Sequence, residues 1–176
     1  MESFGSLELL PATEHSGLVA PPVAAALATL PAAGEVGVAQ IDPTLSDTAS
    51  FCEHYGIKMS QAANCIILKP KGGEYPYVAM MVLGSTRADV NGVARREVGA
   101  KISFAPMDEA VAETGMEYGA ITPIGLPAAW PILIDKAVAD SPRVVIGSGL
   151  RSSKLIIPGA LLASLPTAHV VDGLAA

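Results

Sequence analysis

Hydrophobic residues fall in many short blocks, separated by Gly, Pro and charged residues, so the chain predicts several short elements instead of a few long ones. The first 17 residues show no regular period and are expected to be an irregular N-terminal extension. "APPVAAALATL" predicts a helix with Pro21 and Pro22 in its first turn and Pro31 and Gly34 after its end. "EVGVAQI" alternates as a strand does. "DPTLSDTASFCEHYGI" predicts a helix capped by Asp47 or Ser46, with Gly56 as the left-handed residue that ends it. "ANCIILKP" and "YPYVAMMVLG", joined across "KGGE", predict a strand hairpin. In "ADVNGVARREVGA", Val90, Val93, Ala94 and Val98 share one helical stripe, and Gly99 follows as a stop signal. "KISFA" reads as a strand, and "PMDEAVAETG" as a short helix with Pro106 in its first turn. "WPILID", "RVVIGSG" and "KLIIP" read as strands, and "GALLASLP" as a terminal helix. This irregular order lacks the long crossovers of a doubly wound sheet. It predicts an α+β fold, a curved, mainly antiparallel or barrel-like mixed sheet with helices packed outside.

Composition adds limits to that picture. The 176 residues suit one domain, and 51% of them are hydrophobic but only 5% aromatic, so Ala, Val, Leu and Ile must build the core. No apolar run approaches the roughly 20 residues of a membrane span. The N-terminus lacks the basic region of a signal peptide, so a cytoplasmic protein with no membrane partner is expected. The net charge of −6 argues against a DNA-binding protein, while leaving room for contact with an RNA end through a local patch such as Arg87, Arg95, Arg96 and Lys101. Cys52 and Cys65 have no zinc spacing, and His15, His54 and His169 are scattered, so neither a metal nor another cofactor is expected.

Two Gly-punctuated stretches stand out. "GAITPIGLP", residues 119–127, is too interrupted for a buried strand and too apolar for an ordinary surface loop. Gly119 permits dihedrals closed to other residues and Pro123 stiffens the bend, so this stretch can hold backbone N–H groups close to a ligand. Ile121, Ile124 and Leu126 are expected to wall a small apolar pocket. "GSGLRSSK" follows an apolar strand, but no helix clearly succeeds it, so a nucleotide-binding fingerprint is not indicated. No Ser-His-Asp order with a nucleophile elbow is present. Cys65, the least unlikely nucleophile, lies in an apolar strand that should raise its pKa.

In order and spacing, "ADVNGVARREVGA", "KISFA", "TGMEYGAITP", "ILID" and "VVIGSGLRSSKLIIP" resemble the YbaK/ProX-type aminoacyl-tRNA deacylases, relatives of the editing domain of bacterial prolyl-tRNA synthetases. The resemblance covers most of the chain, and the family's GxxxP loop falls on Gly119 and Pro123. It implies a single editing domain over residues 1–176 that hydrolyses the ester of a tRNA mischarged with a small amino acid. The partner would be the acceptor end of aminoacyl-tRNA, with an aminoacyl-tRNA synthetase as a second candidate partner. On this resemblance the catalytic group is Asn64, Gly119 and Ala120. Substrate contacts fall to Ile121, Thr122, Pro123, Asp135, Gly147, Ser148, Gly149 and Lys101.

The chain departs from the family at one position. The family's active members carry a lysine at the start of the strand here written "ANCIIL", where this chain has Asn64. Asparagine donates and accepts hydrogen bonds but has no charge. Three readings stay open: a deacylase using backbone donors, Asn64 and a substrate hydroxyl; a lysine supplied from elsewhere, with Lys58 and Lys101 as candidates; or a pocket kept without the chemistry, serving as a binding module. Strand parity turns Lys69 to the wrong face.

Overall fold

The element ends follow local chemistry. In this computed structural model, which describes residues 4–176, Asp47 caps helix α2 (Thr48–Tyr55) by accepting from Ser50 N–H at 3.0 Å, and Gly56 closes it at φ 69°. Pro21 and Pro22 open α1 (Pro21–Thr29). Pro106 sits at the N-cap of α4 (Met107–Thr114), one position before the first turn, and Gly115 ends that helix at φ 67°. The expected helix after Ala88 is more irregular than its stripe suggests. The Asp89 carboxylate accepts from both Gly92 and Val93 N–H, the backbone widens into a π-helical turn over Val90–Ala94, and only α3 (Arg95–Val98) is α-helical.

The strands are β1 (Leu10–Pro11), β2 (Gly37–Gln40), β3 (Ala63–Pro70), β4 (Val78–Leu83), β5 (Ile102–Phe104), β6 (Ile132–Asp135), β7 (Val144–Gly147), β8 (Ser153–Ile157) and β9 (Ala168–Val171). They form two sheets, ordered β1-β2-β8-β7 and β5-β3-β4-β6-β9, meeting at a parallel bridge between Ala62 and Val145. The α+β class with mostly antiparallel pairing is as expected. The strands are arranged in two hydrogen-bonded sheets, and among the described strand pairs only β4–β6 and β6–β9 run parallel. The predicted β3–β4 hairpin forms with Asn64 opposite Val82. The N-terminal stretch is less irregular than its sequence: β1 pairs with β2, and Phe4 is buried. Short helices α5 (Lys136–Ala139) and α6 (Gly159–Ala163) follow β6 and β8, and β9 comes after α6, so that helix is not terminal.

The apolar residues divide by sheet face. Val38, Ile146 and Leu155 of one sheet pack with Ala63, Ile67, Met81 and Ile134 of the other, together with Val23 and Leu27 of α1. Ala39, Val145 and Ile156 on the far side of the first sheet are covered by Phe51 and Cys52 of α2 and by Phe4. Leu68, Met80 and Leu133 on the far side of the second are covered by Ala94 and Leu174. Both sheets are thus buried on two faces, which explains strand runs that are apolar throughout instead of alternating. On the surface, Lys69 Nζ and Tyr77 Oη both donate to Glu109 Oε1, at 2.7 and 2.8 Å, tying α4 to β3 and its neighbouring loop.

Candidate functional site

Strand β3 has one edge on β4 and the other only partly used. On that second edge β5 pairs with Leu68, Lys69 and Pro70, Ala105 N–H donates to Ile67 O at 2.9 Å, and Ala62 bridges to Val145. The stretch between is open, and a cleft of about 710 Å³ occupies it. Alternation along an antiparallel strand directs the backbone of Cys65 to the same edge as that of Ile67. Cys65 therefore offers an N–H and a C=O to the cleft with no strand opposite.

The cleft has three regions. Its apolar wall includes Cys65, Ile67, Ala110 and Ile121. Its polar end carries Ser46, Asp47, Thr48, Asn64 and Lys154, with Thr48 Oγ1 donating to Asn64 Oδ1 at 2.5 Å. Its mouth is rimmed by Phe104, Met107 and Tyr118, residues that are 64%, 50% and 54% exposed. These are three of the chain's most exposed large hydrophobic residues, and all three border one opening.

Two turns meet beside the cleft. Gly149 N–H donates to Ala120 O at 2.8 Å, and a Cβ added to Gly147 would lie 2.6 Å from Ala120 O and 3.0 Å from Ile121 O. Glycine at 147 is what lets the two loops touch. Gly119 is different: its φ of +79° requires glycine, yet nothing lies within 4 Å of where a Cβ would be. Its backbone faces open space at the cleft.

Among the sequence-predicted residues, Asn64, Gly119, Ile121 and Gly147 line this cleft. Ala120 lies just behind, with its N–H already donated to Glu117 O at 3.1 Å and its carbonyl engaged by Gly149. That N–H is therefore spent inside its own turn. Thr122 is fully buried, its N–H directed to Met116 Sδ and its Oγ1 without a partner. Pro123 and Leu126 line a separate hollow with Leu30 and Leu165, and Ile124 is core. Ser148 closes the β7–β8 turn through Ser153 Oγ at 2.6 Å, and Gly149 packs on Ala20, Val23 and Met116. Asp135 is buried at the end of β6, where it accepts from the backbone of Leu174 and Ala175. Lys101 is exposed in a shallow hollow with Arg95 and Arg96, and Lys58 does not line the cleft. These placements share a cause: Gly and Pro mark a bend in the sequence but do not say which side of it faces outward.

Lys154 is the residue that sequence reading missed. It enters from β8, is only 8% exposed, donates to Ser46 O at 2.9 Å and lies 5.2 Å from the centre of the Phe51 ring. Burial holds its pKa below the ordinary lysine value, with the nearby Cys52 and Asp47 acting in the opposite sense. A signal was available: lysine inside an otherwise apolar strand is a burial anomaly. The strand read from the sequence, "KLIIP", begins at this lysine.

Burial pushes the Cys65 thiol up to about 12, which leaves it protonated near neutral pH. Cys65→Ser should therefore keep the ester hydrolysis expected from the sequence within about threefold of the parent, whereas loss of a true nucleophile costs orders of magnitude. Iodoacetamide labelling of the parent at pH 8, read by mass spectrometry, should be far slower at Cys65 than for free cysteine. Rapid labelling together with an inactive serine variant would restore covalent catalysis.

A family model described as the aminoacyl-tRNA editing domain matches residues 42–165, and the chain belongs to that family. The matched span contains every residue named above as lining the cleft. Among solved structures, a computationally designed scaffold for presenting linear epitopes is 25% identical, with a TM-score of 0.74 over 87% of this chain and 95% of that one. A candidate trans-editing enzyme for prolyl-tRNA synthetase is 22% identical, with a TM-score of 0.74 over 94% of this chain and 98% of the other. A hypothetical protein is 21% identical, with a TM-score of 0.67 over 74% and 85% of the two chains. No helix among the described residues is long and apolar enough to cross a membrane.

Proposed function

We propose that this protein is a trans-editing deacylase, acting in the cytoplasm on tRNA mischarged with a small amino acid. The observation that carries the reading is the cleft on the open edge of β3. There an editing-family chain has a narrow apolar wall, an amide–hydroxyl pair, a glycine backbone open to a ligand and an exposed aromatic rim. The short walls of Ala110, Cys65 and Ile121 suit a small amino-acid side chain. Phe104 and Tyr118 offer faces on which an unpaired terminal base stacks, an interaction worth about 1–3 kcal/mol per base.

In the reaction, water adds to the ester carbonyl, the acyl C–O bond breaks, and a free amino acid and a tRNA with its terminal hydroxyl restored are released. An aminoacyl ester is already activated, so positioning water and stabilising the developing oxyanion supply most of what is needed. The Gly119 main chain, the cleft-facing Cys65 N–H and the Asn64 amide are the donors in this reading. Thr48 accounts for one lone pair of the Asn64 carbonyl and thereby orients its NH₂ group.

Asn64 itself favours a second reading, a silent module that captures the aminoacyl end or serves a synthetase, because an amide lacks the charge of the family's lysine. The two separate on tRNAs charged with alanine, serine, cysteine and proline. The hydrolase reading expects at least one ester to decay more than tenfold faster than in buffer at sub-stoichiometric protein. Esters that all survive unchanged while the charged RNA still binds would leave the binding module.

A further inference from the structure

We infer that Lys154 is the anion-recognising residue of the cleft, where it takes the phosphate of the terminal nucleotide and does from β8 what a lysine at position 64 would do from β3. The inference rests on the aminoacyl-tRNA reading for the identity of the ligand, and on the geometry for the residue.

Asp47 and Lys154 are the charged residues among those lining the cleft, so Lys154 is its cation. An ammonium has three donor hydrogens. One goes to Ser46 O, and the Phe51 ring face lies beside the group without accepting a conventional hydrogen bond. Among the described residues, the ion pairs are Lys69–Glu109 and Lys136–Asp140, so no carboxylate is paired with Lys154. The Asp47 carboxylate is engaged in capping α2 through Ser50 N–H. Asp47 is near enough to act on Lys154 through space but makes no direct ion pair with it, and a buried ammonium with two donors left over is costly unless an anion in contact completes it. A phosphate oxygen is such an anion, and the charge-assisted bond it makes is among the strong ones.

Topology links Lys154 to the departure at Asn64. Lys154 pairs with Gly147, and Val145 of the same strand bridges to Ala62 in parallel. Two residues beyond that isolated bridge lie Asn64 on β3 and Gly147 on β7, and Asn64, Gly147 and Lys154 all line the one cleft. Gly147 contributes no side chain to it. The start of α2 and the loop before it touch both residues, Thr48 at Asn64 and Ser46 at Lys154. A positive charge is thus available on the same side of the cleft, delivered from a different strand.

The test compares binding of AMP and adenosine at fixed ionic strength by calorimetry, in the parent, Lys154→Met, Lys154→Arg and Asn64→Lys/Lys154→Met. The parent should prefer AMP by at least tenfold. Lys154→Met should reduce that preference to near one with adenosine affinity unchanged, Lys154→Arg should keep part of it, and the double variant should regain it. A preference that survives in a folded Lys154→Met protein overturns the inference, and so does a parent that does not distinguish the two ligands. If Lys154→Met fails to fold, acylation of Lys154 in the parent by an amine-directed reagent decides: AMP must protect it, adenosine must not, and equal labelling with both overturns the inference. An AMP preference without ester hydrolysis would remove the deacylase reading and leave Lys154 in its role. Hydrolysis without any AMP preference would do the reverse.

Discussion

Gly147→Ala should lower deacylation by about a hundredfold or more, the loss typical of an ångström-scale misplacement of reacting groups. The methyl group would have to sit 2.6 Å from Ala120 O and 3.0 Å from Ile121 O. Those atoms are backbone, so the clash is not relieved by turning a side chain. The loop carrying Gly119 and Ile121 must move, and it forms one wall of the cleft. Overpacking of this kind costs about 1–3 kcal/mol, so a lower melting temperature should accompany the lost rate. Gly119→Ala is the informative contrast. It meets no atom within 4 Å, and its penalty comes from the φ of +79° alone. Parent-like activity and melting temperature in Gly147→Ala would show that contact between the two turns is unimportant.

Asp135→Ala should cost about 2–4 kcal/mol of stability while leaving the rate per folded molecule unchanged. The Asp135 carboxylate is buried and accepts from the backbone of Leu174 and Ala175, so it pins the end of the chain to β6. Removing it strands the buried Leu174 N–H and the half-buried Ala175 N–H, at about 1–3 kcal/mol for each group left unsatisfied away from water. Asp135→Asn keeps one acceptor oxygen and should lose less. The pH dependence has a definite sign. Burial raises the folded pKa of Asp135 above 3.8, more than its backbone hydrogen bonds lower it, and nearby Asp172 adds to the rise. Its stabilising contribution is therefore fully present below the unfolded pKa and is lost as pH rises through the folded value. Asp42, Asp47 and Glu109 have lowered pKa values and contribute with the opposite sign, so the Asp135 loss is read as a difference: in denaturant unfolding from pH 3 to 7 the stability of the parent relative to Asp135→Asn should fall as pH rises. An Asp135→Ala variant that is fully stable but inactive would instead return Asp135 to the substrate site.

Much of the local structure was legible because its causes are local. Asp47 with Gly56, and Pro106 with Gly115, bracket helices through capping and dihedral preferences that act within a few residues. The β3–β4 hairpin was readable from two apolar runs around a Gly-rich turn. The widened turn at Val90–Ala94 was not, because the Asp89 carboxylate there competes for the N–H groups of Gly92 and Val93. Strand β9 was also hidden: its partner β6 lies more than 30 residues back, and its four residues, Ala-His-Val-Val with His169 and Val170 exposed, give no alternating signal. Of the residues singled out in the sequence, Asn64, Gly119, Ile121 and Gly147 line the cleft. Thr122, Asp135 and Ser148 were singled out with them, and their side chains turn inward to backbone and core.

The sequence by itself determined where elements begin and end, that the class is α+β, that the chain is an editing-domain relative, and that an amide stands where a lysine is usual. Propensity, capping and motif spacing are properties of neighbouring residues, and they survive without coordinates. Tertiary structure alone decided that β3 keeps an open edge, that two glycine turns touch beside it, and that Lys154 arrives there from β8. Those facts depend on which strands become neighbours and which face each one buries, and pairing across long stretches of chain leaves almost no mark on any single residue.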